Sequence, residues 1–499
     1  MTMVSQHYLF ARKLLDEFGA GLGTPDRLER MAADLIGKDA NIVGPFGSKR
    51  LVYADYVASG RALMCVEQFV MQNVLPYYAN SHTEASYCGG AMTGFRRAAR
   101  ETVAACCGAT SDHAVIFTGS GATSGLNRLV NLLGVTASMK AGVRPRIVVG
   151  PYEHHSNILP WRESGAEIVE VREAATGGPD LDDLDAALSS AGERLVVCAL
   201  SAASNVTGII ADVAGLTKRV KATGAKLVWD YAGAGPYMSI AMEPAPGALI
   251  DAVAVSPHKF IGGPAATGIL IVRHDAVDTV KPTWPGGGTV KFVTPTEHDY
   301  SDSLEVREES GTPNVVGDIR AALAFLVKKA IGAETMAKRN AEVRARALTA
   351  WSGIERLELL GNMQAESLPI FSFRVKDGKG GYIHQQLVTR MLSDRFGIQA
   401  RGGCACAGPY VHRLLLIDED ESTVLRRLIA EGDEIRKPGF TRLNFSVLLP
   451  DDKVDFILKS VAQLASDAAA FTDRYAVDVG RAIFFPRQGP GAPVLSAAS

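Results

Sequence analysis

The sequence has almost no excess of either charge and no long apolar run. Its 499 residues carry 52 Lys and Arg against 54 Asp and Glu, a formal net charge of −2. A chain so close to neutrality gives no electrostatic reason to expect binding to nucleic acid or to an anionic membrane surface. No segment reaches the ~20 apolar residues that a membrane-spanning helix requires. We therefore predict a globular protein that acts on a small molecule, with neither nucleic acid nor membrane as a partner.

Cysteine is also scarce, and its positions match neither a disulfide framework nor a zinc site. No two cysteines form a CxxC pair, so we expect reduced thiols and no metal ligands among them. The first residues lack the basic start and continuous apolar stretch of a signal peptide, and we expect a cytoplasmic location. The cysteines are Cys65, Cys88, Cys106, Cys107, Cys198, Cys404 and Cys406.

Hydrophobic periodicity divides the chain into segments with different predicted secondary structure. Short β-rich runs such as "RIVVG" (146–150) and "KLVWD" (226–230) alternate with helix-length spacers, which predicts an α/β domain with a mostly parallel sheet. Ligands of such sheets bind beyond the carboxyl ends of the strands. The predicted parts are a helical amino-terminal extension (1–50), the large α/β domain (51–310), a long connecting helix (311–335), a smaller α+β domain (336–475) and a partly ordered tail (476–499).

The stretch "VIFTGSGATSGLNRLVNLLG" (115–134) predicts a strand, a glycine turn and a helix. Backbone N–H groups at the helix start would hold a phosphate with the help of the Thr123 hydroxyl. A dinucleotide fingerprint is excluded because Ser124 occupies the third glycine position, and a nucleotide-triphosphate loop is excluded because no G-K-[ST] follows. The stretch is either a phosphate site or an ordinary strand-to-helix turn.

Further candidates follow in chain order. His154 in "PYEHHSNILPW" (151–161) could stack on a planar ligand or be structural, and Asp230 in "LVWDYAGA" (227–234) could meet a ligand cation or cap a helix. Lys259 in "AVSPHKFIGGP" (254–264) ends an apolar run. An anion site, a ring stacker, a carboxylate for a pyridinium nitrogen and a lysine amine are what pyridoxal 5′-phosphate (PLP) requires. We therefore predict a PLP enzyme in which Lys259 holds the cofactor and then transfers a proton.

Six segments carry a resemblance to a known family: "EHHSNILPW", "SNVTG" (204–208), "SPHKFIGGP", "ESGTPN" (309–314), "ARGGCACAGP" (400–409) and "TRLNFSV" (441–447). With them the chain resembles class V aminotransferase-type PLP enzymes of fold type I, most closely the cysteine desulfurase and selenocysteine lyase branch. The resemblance runs from about Tyr53 to Leu464. It implies a large α/β domain with a mostly parallel, seven-stranded type of sheet, a smaller α+β carboxyl-terminal domain, PLP as cofactor and an amino acid substrate.

The resemblance also implies a role for each matching residue. Thr312 would reach the phosphate of the neighbouring subunit, so a homodimer is implied. Arg442, together with Arg401, would contact the substrate, because a guanidinium fork suits a carboxylate. The cofactor contacts implied within one chain are Gly121, Ala122, Thr123, Ser256 and His258 at the phosphate, His154 on the ring, Asn205 at the ring hydroxyl, Asp230 at the ring nitrogen and Lys259 at the aldehyde.

The segment 401–409 matches the family pattern R-x-G-x-x-C-A-x-P, which implies that Cys406 is the nucleophile. The predicted reaction is desulfuration of L-cysteine or an analogue through a Cys406 persulfide, which leaves alanine and supplies sulfur to a possible acceptor protein. Cys404 could relay that sulfur, or either thiol could merely fill an apolar space. A transaminase, C–S lyase or epimerase without a cysteine nucleophile, and a PLP-fold scaffold without activity, are the alternatives.

Overall fold

The computed structural model describes residues 6–81 and 84–487, which divide into two compact units. Within these residues, no helix combines the length and the apolar character needed to cross a membrane. The first unit consists of the chain up to Ile36, Tyr56–Arg339 and Gln364–Leu368, and the second of Gly37–Asp55, Asn340–Met363 and the chain from Pro369 onward.

Helices and strands are numbered separately along the chain. The helices are α1 (Gln6–Leu22), α2 (Arg27–Asp34), α3 (Met64–Phe69), α4 (Tyr87–Cys106), α5 (Gly121–Leu132), α6 (Val135–Lys140), α7 (Leu159–Glu163), α8 (Leu181–Ser189), α9 (Val213–Lys221), α10 (Leu304–Glu308), α11 (Val315–Ile331), α12 (Ala333–Trp351), α13 (Gln385–Phe396), α14 (Gly408–Leu415), α15 (Glu419–Ala430) and α16 (Asp451–Asp467). The strands are β1 (Asn41–Gly44), β2 (Gly47–Arg50), β3 (Val52–Tyr53), β4 (His113–Gly119), β5 (Arg146–Val149), β6 (Glu167–Glu170), β7 (Val196–Ser201), β8 (Lys226–Asp230), β9 (Ala252–Val255), β10 (Gly268–Arg273), β11 (Val290–Val293), β12 (His298–Tyr300), β13 (Leu357–Leu359), β14 (Ile370–Lys376), β15 (Tyr382–Ile383), β16 (Ile398–Gln399), β17 (Arg401–Gly403), β18 (Phe440–Asn444), β19 (Tyr475–Asp478) and β20 (Ile483–Pro486).

The first unit is organised around a seven-stranded sheet in the order β4-β10-β9-β8-β7-β5-β6. β10 is antiparallel to both of its neighbours, and the other pairs are parallel. Strands β5 and β9 are buried along their whole length, as strands covered on both faces must be. The predicted mostly parallel, seven-stranded type of sheet is confirmed.

Helix α5 covers one face of this sheet with an apolar stripe. Leu126 and Leu129 are fully buried in a core that also contains Ile147, Val228 and Trp161. Burial of each such leucine stabilises the fold by about 1.5–3 kcal/mol. Because this packing fixes α5 against the sheet, it also fixes the turn at which the helix begins.

The amino-terminal extension is helical only in part. α1 and α2 agree with the predicted helical spacing, whereas 41–50 forms the antiparallel hairpin β1–β2. The prediction of helix up to residue 50 is therefore wrong for these last ten residues. Pro45 disfavours helix, and Gly47 adopts a positive φ of 84° that only glycine takes up readily.

The second unit is a smaller α+β structure. Its antiparallel sheet has the order β13-β14-β18-β17, with β15 paired to β14. The Trp351 ring packs edge-on against Phe371 in its core, with a distance of 5.1 Å between ring centroids. Beyond this sheet, β19 and β20 form a hairpin, and residues 488–499 of the predicted tail lie outside the described part of the chain.

A close backbone contact holds the segment that carries Lys259. This segment is a single 3-10 turn, Pro257–Lys259, directly after β9. The Gly60 N–H donates to the His258 carbonyl oxygen at 3.0 Å. A β-carbon on Gly60 would lie 1.8 Å from the Phe260 carbonyl oxygen, so only glycine fits.

We expect Gly60→Ala to destabilise the protein by about 2 kcal/mol or more, because the 258–260 backbone must move to admit the methyl group. Thermal unfolding followed by circular dichroism measures the effect as a lowered Tm. Gly21→Ala is the matched control: Gly21 lies in α1 with nothing within 4 Å of the added carbon. It should leave the Tm unchanged or raise it. Equal melting of Gly60→Ala and the unmodified protein would contradict the steric argument.

Candidate active site

The turn predicted to hold a phosphate lies against the segment that carries Lys259. The Ala122 N–H donates to Ser256 Oγ at 2.9 Å. A β-carbon on Gly121 would lie 2.8 Å from His258 Cε1, so the imidazole packs directly on the glycine. Two sequence motifs more than 130 residues apart therefore meet at the amino-terminal end of α5, where backbone N–H groups and the helix dipole favour an anion.

The histidine loop is joined to the same turn through Ser156. Its hydroxyl contacts Thr123 Oγ1 at 2.7 Å and His154 Nδ1 at 3.1 Å. His154 Nδ1 also accepts the Ser156 N–H at 3.1 Å, so the neutral ring carries its proton on Nε2. Ser156 thus fixes both the tautomer and the orientation of His154.

A buried carboxylate faces the lysine. Asp230 ends β8 and is only 4% exposed. Burial raises the pKa of Asp230, while the Ala232 N–H and the positive charge of Lys259 oppose that rise. Burial, together with the Lys259 charge, lowers the pKa of His258 to about 4, so this imidazole is neutral at physiological pH. The site therefore contains Lys259, whose positive charge favours the ionised form of Asp230, and a neutral His258 imidazole.

Asn205 is buried in the loop after β7. A β-carbon on Gly233 would lie 3.5 Å from the Asn205 Cβ, which places Asn205 against the loop that follows Asp230. The predicted cofactor contacts before residue 260 therefore belong to loops at neighbouring strand ends of one sheet. This is the edge at which α/β sheets bind ligands.

Thr312 has a different setting. It is exposed in the loop before α11. The adjacent Gly311 N–H donates to the Gly287 carbonyl oxygen at 2.8 Å, beside the hairpin β11–β12. Phe292 and Val293 of that hairpin are 64% and 59% exposed. An exposed threonine is what a residue reaching a second subunit requires, and exposed apolar side chains such as Phe292 and Val293 are typical of surfaces that contact another protein.

Glu153 is a buried carboxylate that is not among the predicted site residues. It is 3% exposed and accepts hydrogen bonds from the Ser201 N–H at 2.8 Å, the Ser201 hydroxyl at 2.7 Å and the Asn157 side chain. Burial outweighs these donors and raises the pKa of Glu153 to about 7. The network ties the residue before His154 to the end of β7. Its position within "EHHSN" is the only signal that the sequence offers.

Both predicted substrate-binding arginines lie in the second unit and share one carboxylate. Arg442 Nη2 donates to Asp55 Oδ1 at 3.0 Å, and Arg401 Nε donates to Asp55 Oδ2 at 2.9 Å. Arg401 and Arg442 are directly opposite each other on the antiparallel strands β17 and β18. We did not predict Asp55, because nothing local distinguishes it from other acidic residues after a short strand.

The two cysteines of 401–409 lie in a strained turn. The Ala407 N–H donates to the Cys404 carbonyl oxygen at 3.1 Å, and both central residues have positive φ, 50° at Ala405 and 54° at Cys406. Positive φ at two successive residues usually requires glycine, asparagine or aspartate. Cys406 is exposed, whereas Cys404 is half-buried. The turn therefore presents the Cys406 thiol at the protein surface at a cost in backbone energy.

No group of three His, Cys, Asp or Glu side chains within the described residues is arranged to hold a metal ion. The first unit brings together hydroxyls, helix N–H groups, imidazoles, a carboxylate and an amine.

Comparison with known proteins agrees with this arrangement. The family described as Aminotransferase class-V matches residues 52–426. Proteins named "Probable cysteine desulfurase" are similar to the chain: one from Staphylococcus aureus (strain Mu50 / ATCC 700699) is 28% identical, over 72% of this chain and 84% of that protein. Another from Pyrococcus abyssi (strain GE5 / Orsay) is 29% identical, over 74% and 88%.

Solved structures share the fold. The apo structure of a cysteine desulfurase from Thermococcus onnurineus NA1 aligns with a TM-score of 0.70 at 24% identity, over 88% of this chain and 98% of that one. The cysteine desulfurase CsdA from Escherichia coli aligns with a TM-score of 0.68 at 20% identity and the same coverage. The predictions of fold type I and of a PLP-dependent enzyme near the cysteine desulfurase branch are confirmed. The chain belongs to the class V aminotransferase family of PLP-dependent enzymes.

Proposed function

We propose that this enzyme removes sulfur from L-cysteine or a close analogue and leaves alanine. The observation that carries the proposal is the exposed Cys406 thiol, presented by a strained turn within the segment that matches the family's nucleophile pattern. A thiol that only fills an apolar space would be buried, and it would not need an unfavourable backbone.

The residues of the first unit fit PLP. A phosphate suits the start of the 12-residue helix α5 beside the hydroxyls of Thr123 and Ser256. A pyridinium nitrogen suits the buried Asp230 carboxylate, and an aldehyde suits the amine of Lys259. When bound, the cofactor would supply an electron sink for the carbanion formed at the substrate α-carbon.

The protein's own side chains would transfer the proton, contact the cofactor ring and orient the substrate. Lys259 would take the α-proton once its amine is released, and neutral His154 would lie over the ring without adding charge. The buried Asp230 would pair its carboxylate with the ring nitrogen, whose positive charge would offset the cost of burying that carboxylate. Arg442, only 3% exposed and fixed by Asp55, would orient the substrate carboxylate.

Cys406 would accept the sulfur. Its thiolate forms an S–S bond to the substrate sulfur as the carbon–sulfur bond breaks, and the carbon takes up a proton. The balance is L-cysteine plus a Cys406 thiol giving L-alanine plus a Cys406 persulfide, so no external oxidant or reductant is needed for this half of the reaction. Release of the sulfur requires a thiol or an acceptor protein.

A homodimer is part of the proposal. It is supported by the exposed Thr312 loop and by the exposed apolar side chains of the neighbouring hairpin β11–β12. In this arrangement Thr312 would complete the phosphate site of the second subunit.

Product stoichiometry tests the proposal against the alternatives. The PLP-loaded enzyme is incubated with L-cysteine and dithiothreitol, and alanine, sulfide, pyruvate and pyridoxamine 5′-phosphate are quantified. Desulfuration gives equal amounts of alanine and sulfide without pyruvate. Pyruvate with sulfide and ammonia would indicate a C–S lyase, pyridoxamine accumulation would indicate a transaminase, and either result without alanine would overturn the proposal.

A further inference from the structure

The Arg401–Asp55–Arg442 cluster has an unusual charge arrangement for a place expected to bind a carboxylate. Directly opposed residues on antiparallel strands lie about 5 Å apart at Cβ, and two like charges in that position destabilise a sheet. Here the Asp55 carboxylate offsets the repulsion by giving one oxygen to each arginine. Two guanidinium cations and one carboxylate leave one net positive charge.

The backbone around Asp55 makes this bridge a fixed feature. The preceding Ala54 donates its N–H to the Gln399 carbonyl oxygen at 3.0 Å and accepts the Asn444 N–H at 2.9 Å. The Asp55 side chain is 10% exposed, that of Arg442 4% and that of Arg401 52%. The carboxylate is therefore held out of bulk water, where its charge is screened less than that of a surface acid.

We propose that Asp55 is a specificity-determining residue that limits the cluster to one substrate carboxylate. The two positive charges of Arg442 and Arg401 would balance two carboxylates. The Asp55 carboxylate already balances one of them. The remaining charge matches the α-carboxylate of an amino acid with an uncharged side chain. A second carboxylate on the substrate would lie near Asp55 and be repelled. The inference rests on the proposed function, in which this cluster receives the substrate, and it assigns to Asp55 the exclusion of amino acids that carry a second carboxylate.

L-asparagine and L-aspartate are the matched probes, because they have nearly the same shape and differ by one negative charge. Their dissociation constants for the PLP-loaded enzyme are measured by isothermal titration calorimetry. Both present the same α-amino group to the cofactor, so the ratio of the two constants isolates the effect of the side-chain charge. The unmodified enzyme is expected to prefer asparagine.

Asp55→Asn should reduce this preference by about tenfold, because it removes one unit of repulsion within a few ångströms. Asp55→Glu should retain the preference. The double variant Asp55→Asn/Arg401→Gln returns the cluster to one net positive charge and should restore the original ratio. Arg401→Gln alone leaves no net charge and should weaken the binding of both amino acids.

A merely structural Asp55 would give a different result. In that case Asp55→Asn would weaken both amino acids equally and leave the ratio unchanged, which would overturn the inference. Should Asp55→Asn fail to fold, the ratio of Arg401→Gln compared with that of the unmodified enzyme tests the same step: this variant keeps Asp55 but loses one compensating positive charge, so its preference for asparagine should increase, and an unchanged ratio would overturn the inference. Turnover of L-cysteine by the unmodified enzyme is measured separately. Absence of turnover would contradict the proposed function, whereas an unchanged asparagine-to-aspartate ratio in Asp55→Asn would contradict only the role of Asp55.

Discussion

Replacement of Lys259 by alanine is expected to reduce turnover of L-cysteine by about 10³-fold or more, since the variant loses both the covalent attachment of the cofactor and the proton-transferring amine. It should also retain less cofactor through gel filtration, measured by the absorbance of protein-bound PLP. The charge environment changes as well, because Lys259 opposes the rise in the pKa of Asp230.

Lys259→Arg separates these contributions. Arginine keeps a positive charge beside Asp230 but supplies neither a neutral amine for attachment nor a base near neutral pH. We expect it to lose turnover as fully as alanine does while retaining more PLP, through charge and the phosphate turn. Turnover within tenfold of the unmodified enzyme in either variant would show that another residue carries the chemistry.

The sheet was predictable from local pattern because its strands are buried on both faces. Runs such as "KLVWD" and "AVAVS" combine branched side chains with short length, and they correspond to β8 and β9. β6, "EIVE", has a weaker pattern, because it contains two apolar residues and is an edge strand with every position half-buried. Edge strands carry a weaker hydrophobic signal, since one side has no neighbouring strand.

The residues of the candidate site also differ in whether the sequence alone could predict them. Ala122, Asp230 and Lys259 stand next to strand ends, so the parallel sheet brings them to one edge once the strand order is right. Glu153 and Asp55 also follow strands, but their roles depend on partners that are distant in sequence: Ser201 for Glu153, and Arg401 with Arg442 for Asp55. Long-range pairing of this kind depends on register, which composition and periodicity do not report.

Cys406→Ala is expected to abolish both persulfide formation and sulfide release. The thiol at this position is the exposed one, and alanine keeps the same steric preference against positive φ, so the turn itself should change little. Peptide mass spectrometry after a single turnover and rapid alkylation should find the additional sulfur on Cys406 in the unmodified enzyme and none in the variant. Cofactor content should be unchanged, because the variant keeps every residue predicted to contact PLP.

Cys404→Ala is the matched control, since it removes a thiol from the same turn two residues earlier. Its backbone carbonyl still accepts the Ala407 N–H, so the turn that presents Cys406 should be preserved. We expect this variant to form the Cys406 persulfide at close to the normal rate, and any slowing in sulfide release alone would assign Cys404 to the transfer step. Persulfide on Cys404 in the Cys406→Ala variant, with alanine formed at the normal rate, would reassign the nucleophile. A half-buried thiol would then be the reactive one, and the strained presentation of Cys406 would have no catalytic purpose.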